Sequence, residues 1–282
     1  MPYTTLISTV ELYKHLHDPN WVVFDCRFSL ADPARGEKDY SIAHIPGAVY
    51  AHLDEDLSGP VVRGVTGRHP LPSVEAISEK FSRWGIGPGV QVVAYDDNGG
   101  AMAAGRLWWL LRWLGHDAAS VLDGGWSVWK REGLPEHSGV ESRPTRRFIP
   151  KLRPELVVNS TEVEKIYQDP AYRILDARSA DRYHGVNETI DPVAGHIPGA
   201  ISAPYTENLT PSAQFMSEER LRERYLALLN GVPAANTVVY CGSGVSAIHD
   251  ILAMDCAGLG FARLYAGSWS EWITDTRRPI SK

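Results

Sequence analysis

The chain has 282 residues, 44% hydrophobic, 10% aromatic and 22% charged, with a formal charge of −6. That length makes two domains or one large one, either able to bury a core, and the composition excludes disorder, collagen and coiled coil as whole-chain readings. Mild acidity argues against a nucleic-acid partner, and three cysteines (Cys26, Cys241, Cys256) with no CxxC pair make neither a disulfide framework nor a cysteine zinc site.

The N-terminal stretch MPYTTLISTVELYKHL has no basic region followed by an apolar run, as an export signal would, so a cytoplasmic location is expected. VVFDCR at 22–27 then reads as a buried strand closed by an Asp-x-Arg pattern. AHIPGA at 43–48 leads into a short strand, AVY. SVEAISEKFSRWG at 73–85 reads as a helix stopped by Gly85, and VQVVAY at 90–95 as the next strand. The most apolar stretch, AMAAGRLWWLLRWLG at 101–115, is interrupted by Arg106 and Arg112 and is too short to span a bilayer. It is expected to be a buried, amphipathic helix, with no membrane partner. SVLDG at 120–124 is a further strand, overlapping LDGGWSVW at 122–129.

The same landmarks return in the same order: RILDAR at 173–178, GHIPGA at 195–200, a helical SEERLRERYLALLNG at 217–231 stopped by Gly231, NTVVYCGSGVS at 236–246, HDILAMDCAGLG at 249–260 and YAGSWSEW at 265–272. A recurring order of this kind signals a duplicated unit. Strands alternating with helices predict an α/β fold, each copy a small parallel sheet with helices on both faces and right-handed crossovers. The expected domains are 1–136 and 156–282. The Pro-, Ser- and Arg-rich stretch 137–155 between them reads as a linker.

The copies diverge where chemistry is expected. With Tyr95 set against Tyr240, Cys241 faces Asp96. Both positions follow a strand and lead into a helix, at the sheet edge where ligands bind. After Cys241 come Gly242, Ser243, Gly244, Val245, Ser246 and Ala247. Two glycines let successive amides converge on one point, and a helix starting near Ser246 adds its positive end. Such a cradle stabilises a thiolate, the reactive form of cysteine. Cys26 and Cys256 read as packing residues. His44 and His196, at matching places in an active and an inactive copy, read as loop anchors, and Trp126 and Trp269 as core.

Tandem HIPGA motifs after Asp-x-Arg strand ends, one cysteine loop and the terminal GSWSEW together resemble the rhodanese-like sulfurtransferases over essentially the whole chain. The loop CGSGVSA at 241–247 is close to the CGSGVTA loop of the 3-mercaptopyruvate sulfurtransferases. Thiosulfate sulfurtransferases typically carry CRKGVTA, with cations where this chain has Gly242 and Ser243. The resemblance implies tandem rhodanese-like domains, the second one catalytic, and a two-step transfer. Cys241 would take sulfur from a donor, 3-mercaptopyruvate or alternatively thiosulfate, as a persulfide. It would then pass that sulfur to cyanide or a thiol. A thioredoxin-like reductant is a further expected partner; no cofactor and no metal are implied.

DARSADRYHG at 176–185 resembles the family segment whose second Arg grips the donor's anionic end, which points to Arg182. Arg178 is expected to order the loop through Asp176 or a backbone carbonyl. By motif, Asp54 in AHLDEDLSG and His69 in GRHPLP correspond, with Ser243, to a proton-handling group that would protonate the leaving enolate. Gly242, Gly244, Val245, Ser246 and Ala247 would line the donor site. VNETIDPVAG at 186–195 departs from the pattern, because it lacks the second Arg the subfamily usually carries there. A phosphatase is disfavoured, since GSGVSAIHD after Cys241 contains no Arg. A non-enzymatic sulfur carrier or interaction module stays open.

Overall fold

The short apolar runs become the strands of two parallel sheets in a computed structural model that describes residues 1–282. The chain divides into two units. The first holds residues 1–59, 72–153 and 211–215; the second holds 60–71, 154–210 and 216–282. Residues 60–71, which carry Arg68 and His69, thus group with the second unit although they precede most of the first.

In the first unit, β1 (Leu6–Ile7), β2 (Trp21–Asp25), β3 (Val49–Tyr50), β4 (Gln91–Tyr95) and β5 (Ala119–Leu122) form a sheet in the order β1-β5-β4-β2-β3. The pairings are parallel, with Val22 opposite Val92 and Val92 opposite Ala119. The helices are α1 (Thr9–Lys14), α2 (Arg35–Ile42), α3 (Val74–Arg83), α4 (Ala103–Trp113) and α5 (Gly125–Arg131). The second unit repeats the order as β6-β10-β9-β7-β8, from β6 (Val157–Val158), β7 (Arg173–Asp176), β8 (Ile201–Ser202), β9 (Thr237–Tyr240) and β10 (Arg263–Tyr265). Its helices are α6 (Ser160–Ile166), α7 (Ala180–Tyr183), α8 (Glu218–Leu229), α9 (Ala247–Cys256) and α10 (Ser268–Trp272). Central β4 and β9 are buried along their whole length, as strands covered on both faces must be.

Local chemistry sets the helix ends. Ser73 caps α3 by accepting from the Ala76 amide, and Ser217 caps α8 from Arg220. Gly85 (φ 76°) follows α3, and Asn230 (φ 46°) with Gly231 (φ 85°) follows α8, the left-handed stop that glycine and asparagine supply.

Helix α4 is buried, as expected, and departs from expectation only in its polar face. It is buried nearly all round rather than amphipathic, and Arg106 is fully enclosed with its Nε donating to the Leu57 carbonyl at 3.3 Å. An arginine in sequence signals an exposed face only when no carbonyl waits inside to receive it. The stretch 137–153 is not free chain. It runs along the first unit through Arg146 N–H to Ser82 O (2.9 Å), Lys151 N–H to Leu114 O (2.8 Å) and Arg153 N–H to Trp113 O (2.9 Å), with Phe148 buried.

The repeated landmarks have repeated jobs. Asp25 and Arg27 form a buried ion pair, as do Asp176 and Arg178, and each guanidinium covers a tryptophan, Trp126 at 4.7 Å and Trp269 at 4.9 Å. Arg178 also reaches the Gly195 carbonyl at 2.7 Å. His44 and His196 stack on Tyr40 and Tyr183, and each sets Nδ1 against that tyrosine's carbonyl (2.7 and 2.9 Å). No helix is long and apolar enough to cross a membrane.

Candidate active site

Central strand β9 ends at Tyr240, and Cys241 opens the loop that leads into α9. The loop's shape follows from its glycines. Gly244 has φ 75°, and a β-carbon there would lie 2.2 Å from the Ala266 carbonyl oxygen, so no larger residue fits. The carbonyls of Cys241 and Gly242 turn toward α10 and accept from the Trp269 and Ser270 amides at 3.0 and 2.9 Å. The Cys241 amide donates to Ser268 Oγ (3.1 Å), which itself donates to Tyr265 O (2.9 Å). With the chain held this way, the Gly244 N–H points back at Cys241 Sγ, 3.2 Å away. Ser246 occupies the N-cap of α9, and Ala247 begins its first turn. The positive end of that helix therefore opens onto the loop. Val245 and Ala247 are buried and shape the backbone.

The first unit displays what a loop of this build holds. Asp96 stands after β4 where Cys241 stands after β9. Its carboxylate accepts from the amides of Asn98 (2.9 Å), Gly100 (2.8 Å), Met102 (3.1 Å) and Ala104 (3.4 Å). Burial still pushes its pKa up to about 6, against the pull of those amides. An acid side chain in the cysteine's position is thus fully wrapped in peptide N–H groups, the environment a thiolate or persulfide needs.

Two guanidinium groups converge above Gly242. A β-carbon there would meet Arg68 Nη2 at 2.7 Å and both terminal nitrogens of Arg182 at 3.5 Å. A side chain at 242 would press on the end of Arg68 and touch Arg182 at ordinary contact distance, so it would share this space with both guanidinium groups. Arg182 comes from α7. Its Nε contacts Glu188 (3.1 and 3.0 Å) and its Nη2 contacts Asp191 Oδ2 (2.9 Å). Arg68 pairs with the other Asp191 oxygen, Oδ1, and its own amide donates to Ser270 Oγ at 3.1 Å. Glu188 also faces Arg178 at 3.4 Å.

The result is a chain of charges, Asp176–Arg178–Glu188–Arg182–Asp191–Arg68, in which three cations meet three carboxylates. Burial opposes ionisation of Glu188, but hydrogen bonds from Arg182 and from the Asp191 and Ile190 amides outweigh it, so its pKa falls below the usual value. Burial of Asp191 prevails over Arg68 and Arg182, and its pKa rises.

His69 Nδ1 lies 2.8 Å from Ser243 Oγ, both side chains buried. A hydroxyl paired with an imidazole is equipped to give and take a proton. Asp54 belongs to the first unit, in the turn after β3, with its amide 3.1 Å from His52 Nδ1 and its carboxyl raised by burial. Arg68, Glu188 and Asp191 are the residues sequence reasoning missed. Arg68 adjoins the histidine already singled out in GRHPLP, and the two acids stand in the segment noted for its missing arginine.

A family model described as "Rhodanese-like domain" matches residues 8–132 and 159–275. Among the most similar relatives, a Pseudomonas aeruginosa protein provisionally named a 3-mercaptopyruvate sulfurtransferase is 46% identical, over 100% of this chain and 99% of its own. A Mycobacterium tuberculosis protein provisionally named a thiosulfate sulfurtransferase is 37% identical, over 98% of this chain and 96% of its own. The solved structure of 3-mercaptopyruvate sulfurtransferase from Leishmania major superposes with a TM-score of 0.86 at 33% identity, covering 98% of this chain and 76% of that one.

Proposed function

The chain belongs to the rhodanese-like family, one domain in each half, and from that membership we propose that it is a sulfurtransferase using 3-mercaptopyruvate as donor and Cys241 as sulfur carrier. The Cys241 thiolate attacks the donor's thiol sulfur. The carbon–sulfur bond breaks, its electron pair stays on carbon as the enolate of pyruvate, and Cys241 is left as a persulfide. The enolate takes up a proton through the Ser243 hydroxyl and His69. An acceptor thiolate or cyanide then attacks the outer sulfur and restores the Cys241 thiolate. The expected acceptors are cyanide or a small thiol, with a thioredoxin-like dithiol as the reducing partner and the cytoplasm as the location.

The observation that carries this reading is the Gly244 N–H on Cys241 Sγ at 3.2 Å, beneath two guanidinium groups. In this reading Arg182 and Arg68 grip the donor carboxylate, so Arg68 supplies the second cation that VNETIDPVAG lacks. Gly242, Gly244, Val245, Ser246 and Ala247 form the floor, and Asp54 is the acid that the motif match adds to the proton-handling group.

Two features favour mercaptopyruvate over thiosulfate. A leaving enolate needs a proton, which the His69–Ser243 pair at 2.8 Å can deliver, whereas sulfite leaving from thiosulfate needs none. The charge chain around Arg68 and Arg182 is also balanced three against three, which suits a monocarboxylate better than a dianion.

The test is intact and peptide mass spectrometry after exposure to each donor. Mercaptopyruvate should add about 32 Da at Cys241, Cys241→Ser should remove the gain, and kcat/KM should favour mercaptopyruvate over thiosulfate. No mass gain from either donor ends the enzymatic reading in favour of an interaction module.

A further inference from the structure

The first unit has no cysteine after β4, but it carries a cluster the sulfur chemistry does not use. His44, His137 and Glu141 bring His44 Nε2, a His137 ring nitrogen and a Glu141 oxygen within 4.8 Å of one another. His44 is fully buried. Its Nδ1 lies 2.7 Å from the Tyr40 carbonyl, which can only accept, so Nδ1 carries the proton. Nε2 is the ring nitrogen left facing the cluster. It has no hydrogen-bond partner, and its charged neighbour is Glu141 Oε1 at 3.9 Å. A buried polar atom left without a partner calls for an explanation.

The backbone holds the other two donors in place. His44 and His137 exchange both amide–carbonyl hydrogen bonds at 2.9 Å as an isolated antiparallel bridge. The Gly139 amide donates to Ser41 O (3.0 Å), and the Glu141 amide donates to Tyr40 Oη (2.9 Å). His137 Nδ1 lies 2.5 Å from Glu141 Oε1. The second unit supplies the comparison: the partner bridged to His196 is Ser281, so the fold does not require a histidine opposite the HIPGA histidine.

We propose that His44 Nε2, His137 Nδ1 and Glu141 bind a divalent transition-metal ion, of which Zn²⁺ fits best. Two imidazoles and one carboxylate, with a fourth place for water, is a recurrent zinc donor set. The tyrosine carbonyl on His44 Nδ1 is the outer support such ligands use. At metal–ligand lengths of about 2.0–2.1 Å a tetrahedral site needs donors roughly 3.3 Å apart. His44 and Glu141 must close slightly and His137 and Glu141 must open. His137 can do so, being well exposed (61% of its side chain). A surface depression of about 500 Å³ lined by His137, Glu141, His17 and Arg143 gives the ion access. Arg143 is engaged with the Gly47 carbonyl at 2.8 Å. The ion takes the place of the direct His137–Glu141 contact, and it pins the 137–141 strap to the HIPGA loop.

The test uses the full chain, stripped with chelator and dialysed. Zn²⁺ titrated by calorimetry should bind one per chain and raise Tm. Co²⁺ should give the visible bands of a low-symmetry nitrogen–oxygen site without the near-ultraviolet band of a thiolate ligand. His137→Ala and Glu141→Gln, both at accessible side chains, should each weaken Zn²⁺ binding at least about tenfold and abolish the Tm rise. Circular dichroism verifies that both variants fold. Absence of stoichiometric Zn²⁺ binding, a thiolate band in the Co²⁺ spectrum, or equal affinity in parent and both variants would each overturn the proposal.

Discussion

Arg68 offers the sharpest trial of the donor pocket, because its role arises from the fold and not from the motif. In Arg68→Ala, Asp191 keeps its contact with Arg182 at 2.9 Å, so the charge chain loses its last link and the rest stays paired. Folding should therefore be little changed. If the guanidinium grips the donor carboxylate, its removal forfeits a charge-assisted hydrogen bond of about 1.5–3 kcal/mol. That converts to a roughly 10- to 150-fold fall in kcat/KM for mercaptopyruvate. Arg182→Ala should produce a fall of similar size, with Glu188 left to Arg178 at 3.4 Å.

The double variant is different. Asp191, 1% exposed at its side chain, would then have neither arginine, and a stranded buried charge costs about 3–5 kcal/mol of stability. Adding Asp191→Asn should restore the lost Tm but not the lost activity, which separates binding from folding. Steady-state kinetics with both donors, alongside thermal melts, reads all four proteins. An Arg68→Ala enzyme within twofold of the parent on mercaptopyruvate and thiosulfate would refute the clamp.

Other outcomes follow from the same geometry. Ser243→Ala or His69→Gln should lower kcat for mercaptopyruvate by roughly 10²–10⁴ while leaving thiosulfate within a few-fold; equal losses on both donors would remove the proton relay. Asp54→Asn should cut only the mercaptopyruvate rate if it belongs to the proton-handling group, and unchanged kinetics would exclude it. Gly244→Ala, with φ at 75° and its β-carbon 2.2 Å from the Ala266 oxygen, should pull the amide off Cys241 and abolish persulfide formation. A normal mass gain at Cys241 in that variant would show the amide is dispensable. Burial lifts the pKa of Asp250 in α9 to about 7 from 3.8, against Arg224, Asn208 and Tyr225. Because the folded value is the higher one, folding takes up a proton. The group's contribution is full below about pH 4 and is lost as pH rises toward 7. Asp250→Asn should flatten that dependence and stabilise the chain at pH 8, by at most about 4 kcal/mol; denaturant melts at pH 4, 6 and 8 with an unchanged slope would refute it.

The duplicated landmarks, the long strands β2, β4, β7 and β9, the capped helices α3 and α8, and the Cys241 loop are legible in the chain because each depends on neighbours within a few residues. Apolar runs, a serine three residues ahead of the amide it caps, and glycines at positive φ carry their own instructions. Edge strands β1 and β6, two residues each, are too short to show a period and exist because β5 and β10 lie beside them.

Helix α4 misled for the opposite reason. Its pattern implies a wet face, yet the Leu57 carbonyl lets Arg106 be enclosed. The pocket is where local reading ends. His69 meets Ser243 across 174 positions and Arg68 meets Asp191 across 123, and His44 meets His137 through a bridge between distant segments. Such pairings cost loop-closure entropy that no short segment repays, so the cooperative packing of a whole unit brings them together. Which side chains act is written in their chemistry; which of them share one anion, proton or metal depends on that packing.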